Sequence, residues 1–217
     1  MALFTQAFRY AYEPFVFGKS NEGDNRKMYA AAMKYFLIFS LLAFLAVMFY
    51  LDLLRYLVAR GYWEGLGVVA IVMLAEICKG IYFNLSFWYK LTDETQWGAY
   101  FSLIGCVIIV TMNILFVPVY GYVASAWASV AGYGVIVLLS YWMGQKKYPI
   151  RYDLKNLGIY ILLAAALYLL GEQVPIPNLV LRLAFRTLLL LLFLAYIVKK
   201  DLPLEQIPVI NRLIKNK

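Results

Sequence analysis

Long apolar stretches separated by short polar connections dominate the pattern of this chain. Most of them approach the ~20 residues that an α-helix needs to cross a hydrocarbon core of ~30 Å. Aromatic, charged, glycine and proline residues gather where the stretches end, as they do at membrane interfaces and in turns. The pattern predicts an all-α integral membrane protein. Its predicted membrane bundle, residues 1–198, has a partial N-terminal helix at 1–17 and six complete transmembrane helices at 30–50, 66–88, 98–117, 121–143, 156–171 and 179–198.

The segment 66–88 carries polar residues near its middle. At ~100° per residue, Glu76, Lys79 and Asn84 fall on one broad helical face. A charge at the bilayer centre costs at least about 2.5–3.5 kcal/mol, so this face is expected to contact protein or water. Two interpretations follow: Glu76 and Lys79 neutralise each other at i,i+3 and join two helices, or they line a polar transport cavity.

The first segment carries a second charged pair. Arg9 and Glu13 are spaced i,i+4, and Pro14 is expected to kink the helix because proline cannot donate a backbone hydrogen bond. Arg9 either extends to lipid phosphates at the interface or faces a cavity, where its guanidinium fork can bind phosphate oxygens.

Composition agrees with a membrane protein and removes several kinds of chemistry. Hydrophobic residues make up 64% and charged residues 15% of the chain, against about a quarter charged in soluble domains. Histidine is absent, which removes the usual general base and the commonest metal ligand. Cys78 and Cys106 lie in apolar segments without metal or redox spacing, and are interpreted as packing residues. The sequence also lacks the phosphate-loop, G-x-S-x-G and H-E-x-x-H motifs, so we expect no enzyme, metal or cofactor.

Positive charge predicts the orientation. Lys and Arg concentrate on the side of the N-terminal loop, and only Arg55, Arg60, Arg182 and Arg186 fall on the other side. This distribution predicts that both termini are cytoplasmic. The net charge of +8 is therefore interpreted as a signal for membrane orientation and for contact with anionic lipid, not as a sign of nucleic-acid binding. Residues 199–217 are expected to form an amphipathic cytoplasmic tail in the interface plane. The cytoplasmic set is Lys19, Arg26, Lys27, Lys90, Lys146, Lys147, Arg151, Lys155, Lys199, Lys200, Arg212, Lys215 and Lys217.

Turns and small residues predict how neighbouring helices meet. Pro118 to Gly121 and Gly171 to Asn178 are expected to be tight turns. Small residues crowd the segment 121–143, where they allow close backbone approach, so packing is preferred to binding there.

Several blocks of sequence, in this order, carry a resemblance to a known family. They are QAFRYAYEPF at 6–15, GYWEG at 61–65, GIYFNLSFWYKLTD at 80–93, NILFVPVYGYVASAWA at 113–128, and residues 141–150. Together they resemble bacterial polysaccharide-biosynthesis membrane proteins. These are lipid-linked oligosaccharide flippases of the O-antigen and capsule type, in the multidrug/oligosaccharidyl-lipid/polysaccharide exporter superfamily, which is related to the multidrug and toxin extrusion transporters.

The resemblance implies an architecture and a partner. Members have about fourteen membrane helices in two lobes, and this chain is similar to the last six together with the end of the eighth. We therefore expect a C-terminal fragment with a missing N-terminal lobe; a half-transporter that pairs with a second copy of the chain is the alternative.

The resemblance also implies a function at the bacterial inner membrane: flipping of undecaprenyl-diphosphate-linked oligosaccharide by alternating access. The expected partners are this glycolipid and membrane lipids. Arg9 is then expected to bind the diphosphate, and Glu13 to serve as its partner or as an ion-coupling carboxylate. Glu76, Lys79 and Asn84 are further candidate cavity residues, and the four charged residues are expected to share one hollow. Three alternatives remain: a multidrug or small-solute exporter, a non-transporting scaffold subunit, and a histidine-free membrane transferase.

Overall fold

The structure, a computed structural model, describes residues 1–18 and 25–201, and most of these residues are helical. No strand occurs within those ranges. Six helical stretches among them are long and apolar enough to cross a membrane, by length and composition. The predicted all-α membrane fold with six spanning helices is therefore confirmed.

The helix bounds follow the predicted segments with small extensions at most ends. One exception, the stretch predicted at 66–88, begins as a 3-10 helix, Arg60–Val68, and a shorter 3-10 helix, Arg55–Leu57, precedes it. The α-helices are α1 (Ala2–Gly18), α2 (Arg26–Phe49), α3 (Leu51–Leu54), α4 (Val69–Leu85), α5 (Phe87–Leu91), α6 (Gln96–Tyr120), α7 (Tyr122–Lys147), α8 (Leu154–Gln173) and α9 (Leu179–Asp201).

The predicted helix 66–88 is broken into pieces. Three glycines within Arg60–Val68 weaken α-helix formation there, and the backbone takes the tighter 3-10 form. At the other end, Ser86 separates α4 from α5, and its hydroxyl donates to the carbonyl of Phe83 at 2.7 Å. The pieces still form one apolar stretch, Arg60–Leu91.

Two predicted boundaries are corrected by the structure. Pro118 lies inside α6, two residues before that helix ends, so the predicted turn from Pro118 to Gly121 shrinks to Gly121 alone. Gly121 has a φ of +62°, a backbone conformation that glycine adopts without steric cost. Residues 199–201 of the predicted tail continue α9, while 202–217 lie outside the described residues.

The spanning helices form two groups. In the first, α2 packs against α8 and α9 around the buried side chains of Leu45, Phe49, Tyr160 and Phe193. In the second, α7 packs against both α4 and α6, and a smaller core includes Trp88 of α5. Contacts between α2 and α4 join the two groups, and α1 lies against α4.

The small residues of α7 support packing at particular positions. A Cβ atom on Gly132 would lie 2.4 Å from Cγ1 of Ile109 on α6, and one on Gly144 would lie 2.8 Å from the Trp88 ring. Gly134, by contrast, has no neighbouring atom within 4 Å of such a Cβ. The predicted packing role is confirmed at Gly132, where the absence of a side chain brings the helices together. Gly144 lies beyond the predicted segment and packs in the same way.

Candidate functional site

Helix α1 is fastened to the rest of the chain through Glu13. Nε of Arg9 lies 3.7 Å from Oε2 of Glu13, the i,i+4 pair expected from the sequence. The other carboxylate oxygen of Glu13 accepts a hydrogen bond from Nζ of Lys90 on α5. From the sequence alone, Lys90 is expected only to contribute to the positive charge of the cytoplasmic side. Glu13 therefore bridges two cations and joins α1 to α5.

Arg9 lies at the edge of a narrow cleft between α1, α2 and α4, here called the Arg9 cleft. Its guanidinium carbon is 5.3 Å from the centre of the Phe83 ring, a cation–π distance. Thr5 and Asn84 also line the cleft and are almost fully buried. The cleft volume is about 10 Å³, which matches a single water molecule and excludes a diphosphate group.

Asn84 is held by its own helix. Its side-chain amide donates to the carbonyl of Gly80 at 3.0 Å, one turn earlier in α4. Its Oδ1 and the hydroxyl of Thr5 are buried, and neither has a hydrogen-bond partner within the described residues. Both side chains therefore place polar atoms in a narrow cleft whose lining is otherwise mostly aromatic.

Glu76 and Lys79 form the predicted i,i+3 pair on α4. Nζ of Lys79 donates to Oε1 of Glu76 at 2.7 Å, and their side chains are 25% and 20% exposed. Both members of the pair lie on the same helix, so the pair does not by itself join two helices. An ammonium group has three donors, and this bond uses one of them.

Lys79 lines a second, much larger space between α4, α6 and α7, here called the Lys79 hollow. Its volume is about 480 Å³. Apolar side chains and Gly105 form most of the wall, and Nζ of Lys79 lies 6.0 Å from the centre of the Tyr133 ring across the hollow. The side chains with a polar atom or a thiol in this lining are Lys79, Tyr82, Ser102, Cys106 and Tyr133.

The charged residues predicted to share one hollow are divided between two places. Arg9 lines the Arg9 cleft, and Lys79 lines the Lys79 hollow. Phe83 lines both, so its ring separates them. Glu13 and Glu76 line neither space. Glu13 pairs with Arg9 at the cleft, and Glu76 pairs with Lys79 at the hollow. Residues 79 and 83 lie one turn apart on the same face of α4, so the ring of Phe83 stands next to Lys79 along the helix and forms part of the wall of both spaces.

A third ionic cluster was missed by sequence reasoning. The guanidinium of Arg186, on α9, contacts Asp52 of α3 at 3.2 Å and Glu172 of α8 at 2.8 Å. It also donates to the carbonyl of Gly171 at 3.2 Å, and Nε of Arg182 lies 3.3 Å from Asp52. The usable signal was an arginine inside an apolar segment, with carboxylates near the ends of two other segments.

The opposite end of the same helix group has a matching cluster. Nζ of Lys34, on α2, lies 2.8 Å from the carboxylate of Asp201 at the end of α9, and the hydroxyl of Tyr160 on α8 donates to the same carboxylate. Both ends of the α2–α8–α9 group are thus closed by ion pairs, which points to a structural role for these charges.

Outside the spans, Glu94 binds two neighbours. It pairs with Lys147 at the end of α7 and accepts a hydrogen bond from the Trp97 indole at 2.9 Å. The bond from Lys147 lowers the pKa of Glu94 from its ordinary value, against the smaller opposing effect of burial. Glu94 thus forms a contact between the start of α6 and the end of α7.

Within the described residues, no group of three or more histidine, cysteine, aspartate or glutamate side chains is arranged to hold a metal ion. Cys78 and Cys106 are free thiols. In the comparisons with known proteins, no family model, no curated protein and no solved structure matches this chain.

Proposed function

We propose that this chain is part of a membrane transporter and that the Lys79 hollow holds the anionic group of its cargo. The observation that carries the proposal is a cation inside a membrane span, on the wall of a space of about 480 Å³. Charged side chains in spans are costly, and they characteristically mark pathways for polar cargo.

The geometry of the ion pair fits reversible binding. Glu76 neutralises Lys79 when the hollow lacks cargo, while the remaining ammonium donors can reach an anionic oxygen. Tyr133 and Tyr82 add ring surface with a polar tip, which suits sugars or other amphipathic cargo. A phosphate group crossing hydrocarbon without such partners would lose its hydration at a cost of several kcal/mol.

The cargo proposed is an undecaprenyl-diphosphate-linked oligosaccharide, moved from the cytoplasmic to the outer leaflet of a bacterial inner membrane. The sequence blocks that resemble lipid-linked oligosaccharide flippases support this class of cargo, and the Lys and Arg distribution supports cytoplasmic termini. Arg9 would serve as a second diphosphate contact when α1 moves away from α4, since the closed cleft holds at most one water.

A second candidate function is export of a small amphipathic solute. The mostly apolar and aromatic wall of the Lys79 hollow favours it, because such walls suit drug-sized ligands with few polar groups. Glu76 would then serve as the counter-charge for a cationic cargo once its ion pair with Lys79 opens. Transport assays with anionic and cationic cargo separate the two candidates.

The direct test is translocation by the purified protein in liposomes. A fluorescent polyprenyl-diphosphate glycolipid is reconstituted, and dithionite, which does not cross the bilayer, reports the fraction in the outer leaflet over time. A hydrogen bond to a charged group contributes about 1.5–3 kcal/mol, so Lys79→Gln is expected to slow translocation at least about tenfold. Lys79→Arg, which keeps the charge, should retain most of the rate.

Lys146 provides the matched control, because it is an exposed lysine whose ammonium lies 3.7 Å above the Trp142 ring, outside the hollow. Lys146→Gln should translocate at the wild-type rate. A wild-type rate for Lys79→Gln, or no glycolipid translocation by the wild-type protein, would contradict the proposed cargo site.

A further inference from the structure

Another sizeable space in the structure has a different chemistry from that of the Lys79 hollow. It is a groove of about 360 Å³ between α2, α4, α7 and α8, here called the Gly158 groove. Apolar atoms form nearly all of its wall, among them those of Leu37, Leu85, Leu138 and Ile161. It lies where the two helix groups meet, on the side away from the Lys79 hollow, and shares no lining residue with it.

One end of the groove is aromatic. The rings of Tyr141 and Tyr152 both line it and lie 6.1 Å apart. Tyr152 belongs to the connection between α7 and α8, beyond the end of the membrane span, whereas Ile161 lies two turns into α8. The groove therefore runs from the level of the lipid headgroups, where tyrosine concentrates, into the hydrocarbon region.

The aromatic end is also basic. Arg151 and Lys155 are exposed and flank the lining residues Tyr152 and Leu154. The nearby carboxylate of Asp153 is occupied, because it accepts hydrogen bonds from the side chain and the backbone amide of Asn156, and these bonds lower its pKa. Asn156 in turn accepts from Nζ of Lys200 at 2.6 Å, which brings a third cation to this end.

Gly158 forms an open position in the groove. An ideal Cβ atom on Gly158 would have no neighbouring heavy atom within 4 Å. The space beside α8 is therefore free for an apolar chain, and a larger side chain at 158 could occupy it without displacing other atoms.

From these observations we propose that the Gly158 groove is a binding site for an anionic phospholipid. One acyl chain lies along the apolar wall past Gly158, and the headgroup phosphate is bound by Arg151 and Lys155. The bilayer supplies such chains at this depth, and the cationic rim selects anionic over zwitterionic headgroups. A lipid in this position would contact both helix groups and hold α8 against α7.

The test is photolabelling in bilayer nanodiscs with a phosphatidylglycerol that carries a diazirine on its acyl chain, followed by peptide mapping. A phosphatidylcholine with the same acyl chain is the comparison. Label from phosphatidylglycerol should concentrate on the α8 peptide around 157–161. Each basic residue near an anionic lipid surface contributes about 1 kcal/mol, so Arg151→Gln and Lys155→Gln should each reduce this label roughly fivefold.

Two controls separate the site from general lipid contact. Gly158→Leu should abolish labelling of the groove, whereas Gly134→Leu, also at an open position but outside the groove, should leave it unchanged. Lys146→Gln removes an exposed charge at the same membrane face and should have no effect. Since Arg151 and Lys155 are exposed, their variants keep the fold and test the proposal even if Gly158→Leu destabilises the protein.

Equal label from the two lipids, or label spread evenly over the exposed faces of α6 and α8, would overturn the proposal, because both results indicate ordinary bilayer contact. Because photolabelling does not depend on transport, it tests the proposed lipid site independently of the proposed cargo site.

Discussion

Several charged side chains within the described apolar helices lie within ion-pair distance of an opposite charge, among them Arg9, Lys34, Lys79 and Arg186. Arg186 is the most buried example, with a side chain that is 7% exposed. Removing one member of a buried ion pair is costly because the remaining charges lose their counter-charge. We therefore expect that removing Arg186 lowers the free energy of unfolding more than removing a member of any exposed ion pair.

The variant Arg186→Met is expected to lower the free energy of unfolding by about 3 kcal/mol. This is the lower end of the range for a broken buried pair, since Glu172 and Asp52 keep 44% and 24% of their side-chain exposure. Denaturant unfolding in detergent measures it. Arg182→Met is the control, because Arg182 is 34% exposed, and it should cost less than about 1 kcal/mol. Equal losses for the two variants would contradict the central position given to Arg186.

Gly132 and Gly134 make a second matched pair at this scale. Gly132→Ala places a Cβ 2.4 Å from Ile109, so we expect a loss of about 1–3 kcal/mol from overpacking between α6 and α7. Gly134→Ala meets open space and should be neutral or stabilising by up to about 1 kcal/mol through helix propensity. Thermal unfolding of both variants checks the difference, and a Gly132→Ala protein as stable as the wild type would show that this contact relaxes freely.

At the scale of elements, α1 is held by aromatic contacts with α2 and α5 and by partly exposed ion pairs. It packs on α4, and Glu13 pairs with Arg9 and Lys90. These ion pairs are partly exposed, and such pairs contribute about 0.2–1 kcal/mol. The ion pairs of Glu13 therefore oppose only weakly a movement of α1 away from α4, and such a movement would open the Arg9 cleft.

The variant Glu13→Gln should loosen α1 while leaving the other helices in place. We expect backbone amides of residues 8–12 to exchange hydrogen about two- to fivefold faster, which corresponds to the contribution of partly exposed ion pairs. Hydrogen–deuterium exchange with peptide resolution measures this. Glu64→Gln, at an exposed position far along the chain, serves as the control. Unchanged exchange in α1 would mean that apolar contacts alone hold it.

The contact between Glu94 and Lys147 should depend on pH. The pKa of Glu94 is lowered in the folded protein, so the contact is fully present above its ordinary value of 4.5 and is lost as the pH falls through the lowered pKa. Because the Trp97 indole donates to this carboxylate, its fluorescence, taken as the difference from a Trp97→Phe protein, should change in that acidic range. The Glu94→Gln protein should lack the transition; a transition that persists in it would assign the change to another group.

Sequence periodicity was sufficient for the helices but not for their contacts. Apolar length predicted the six spans, because a bilayer demands about twenty apolar residues of any helix that crosses it. The i,i+4 and i,i+3 pairs on α1 and α4 were also predictable, since helical spacing alone fixes them. The Lys90–Glu13, Arg186–Asp52 and Lys34–Asp201 pairs were not, because each joins residues distant in sequence and depends on how helices pack.

The separation of the Arg9 cleft from the Lys79 hollow was also not predictable from helical periodicity. Helical spacing placed Glu76, Lys79 and Asn84 on one broad face but did not predict which space each would line. Asn84 lines the Arg9 cleft, Lys79 lines the Lys79 hollow, and the ring of Phe83 lies on the wall of both. Side-chain volume at a single position therefore decided whether two polar spaces merged, and periodicity carries no information about it.

For the whole molecule, the central claim is that the Lys79 hollow admits water and polar cargo within the membrane-spanning part of the chain. Cys106 lines this hollow on α6, whereas Ile114 lies two turns further along α6, outside the hollow and largely exposed. A thiol can therefore report the environment at each position without altering the charged pair on α4.

The most direct measurement is the reaction of Cys106 with a membrane-impermeant, negatively charged thiosulfonate, in a Cys78→Ala protein reconstituted in liposomes. We predict that Cys106 reacts with this reagent and that the Lys79→Gln variant reacts more slowly, because Lys79 no longer attracts the anion. A cysteine introduced by Ile114→Cys, in a protein that also carries Cys78→Ala and Cys106→Ala, should react only with an apolar maleimide. If Cys106 likewise reacts only with the apolar maleimide, the hollow is filled by lipid and the account of transport is contradicted.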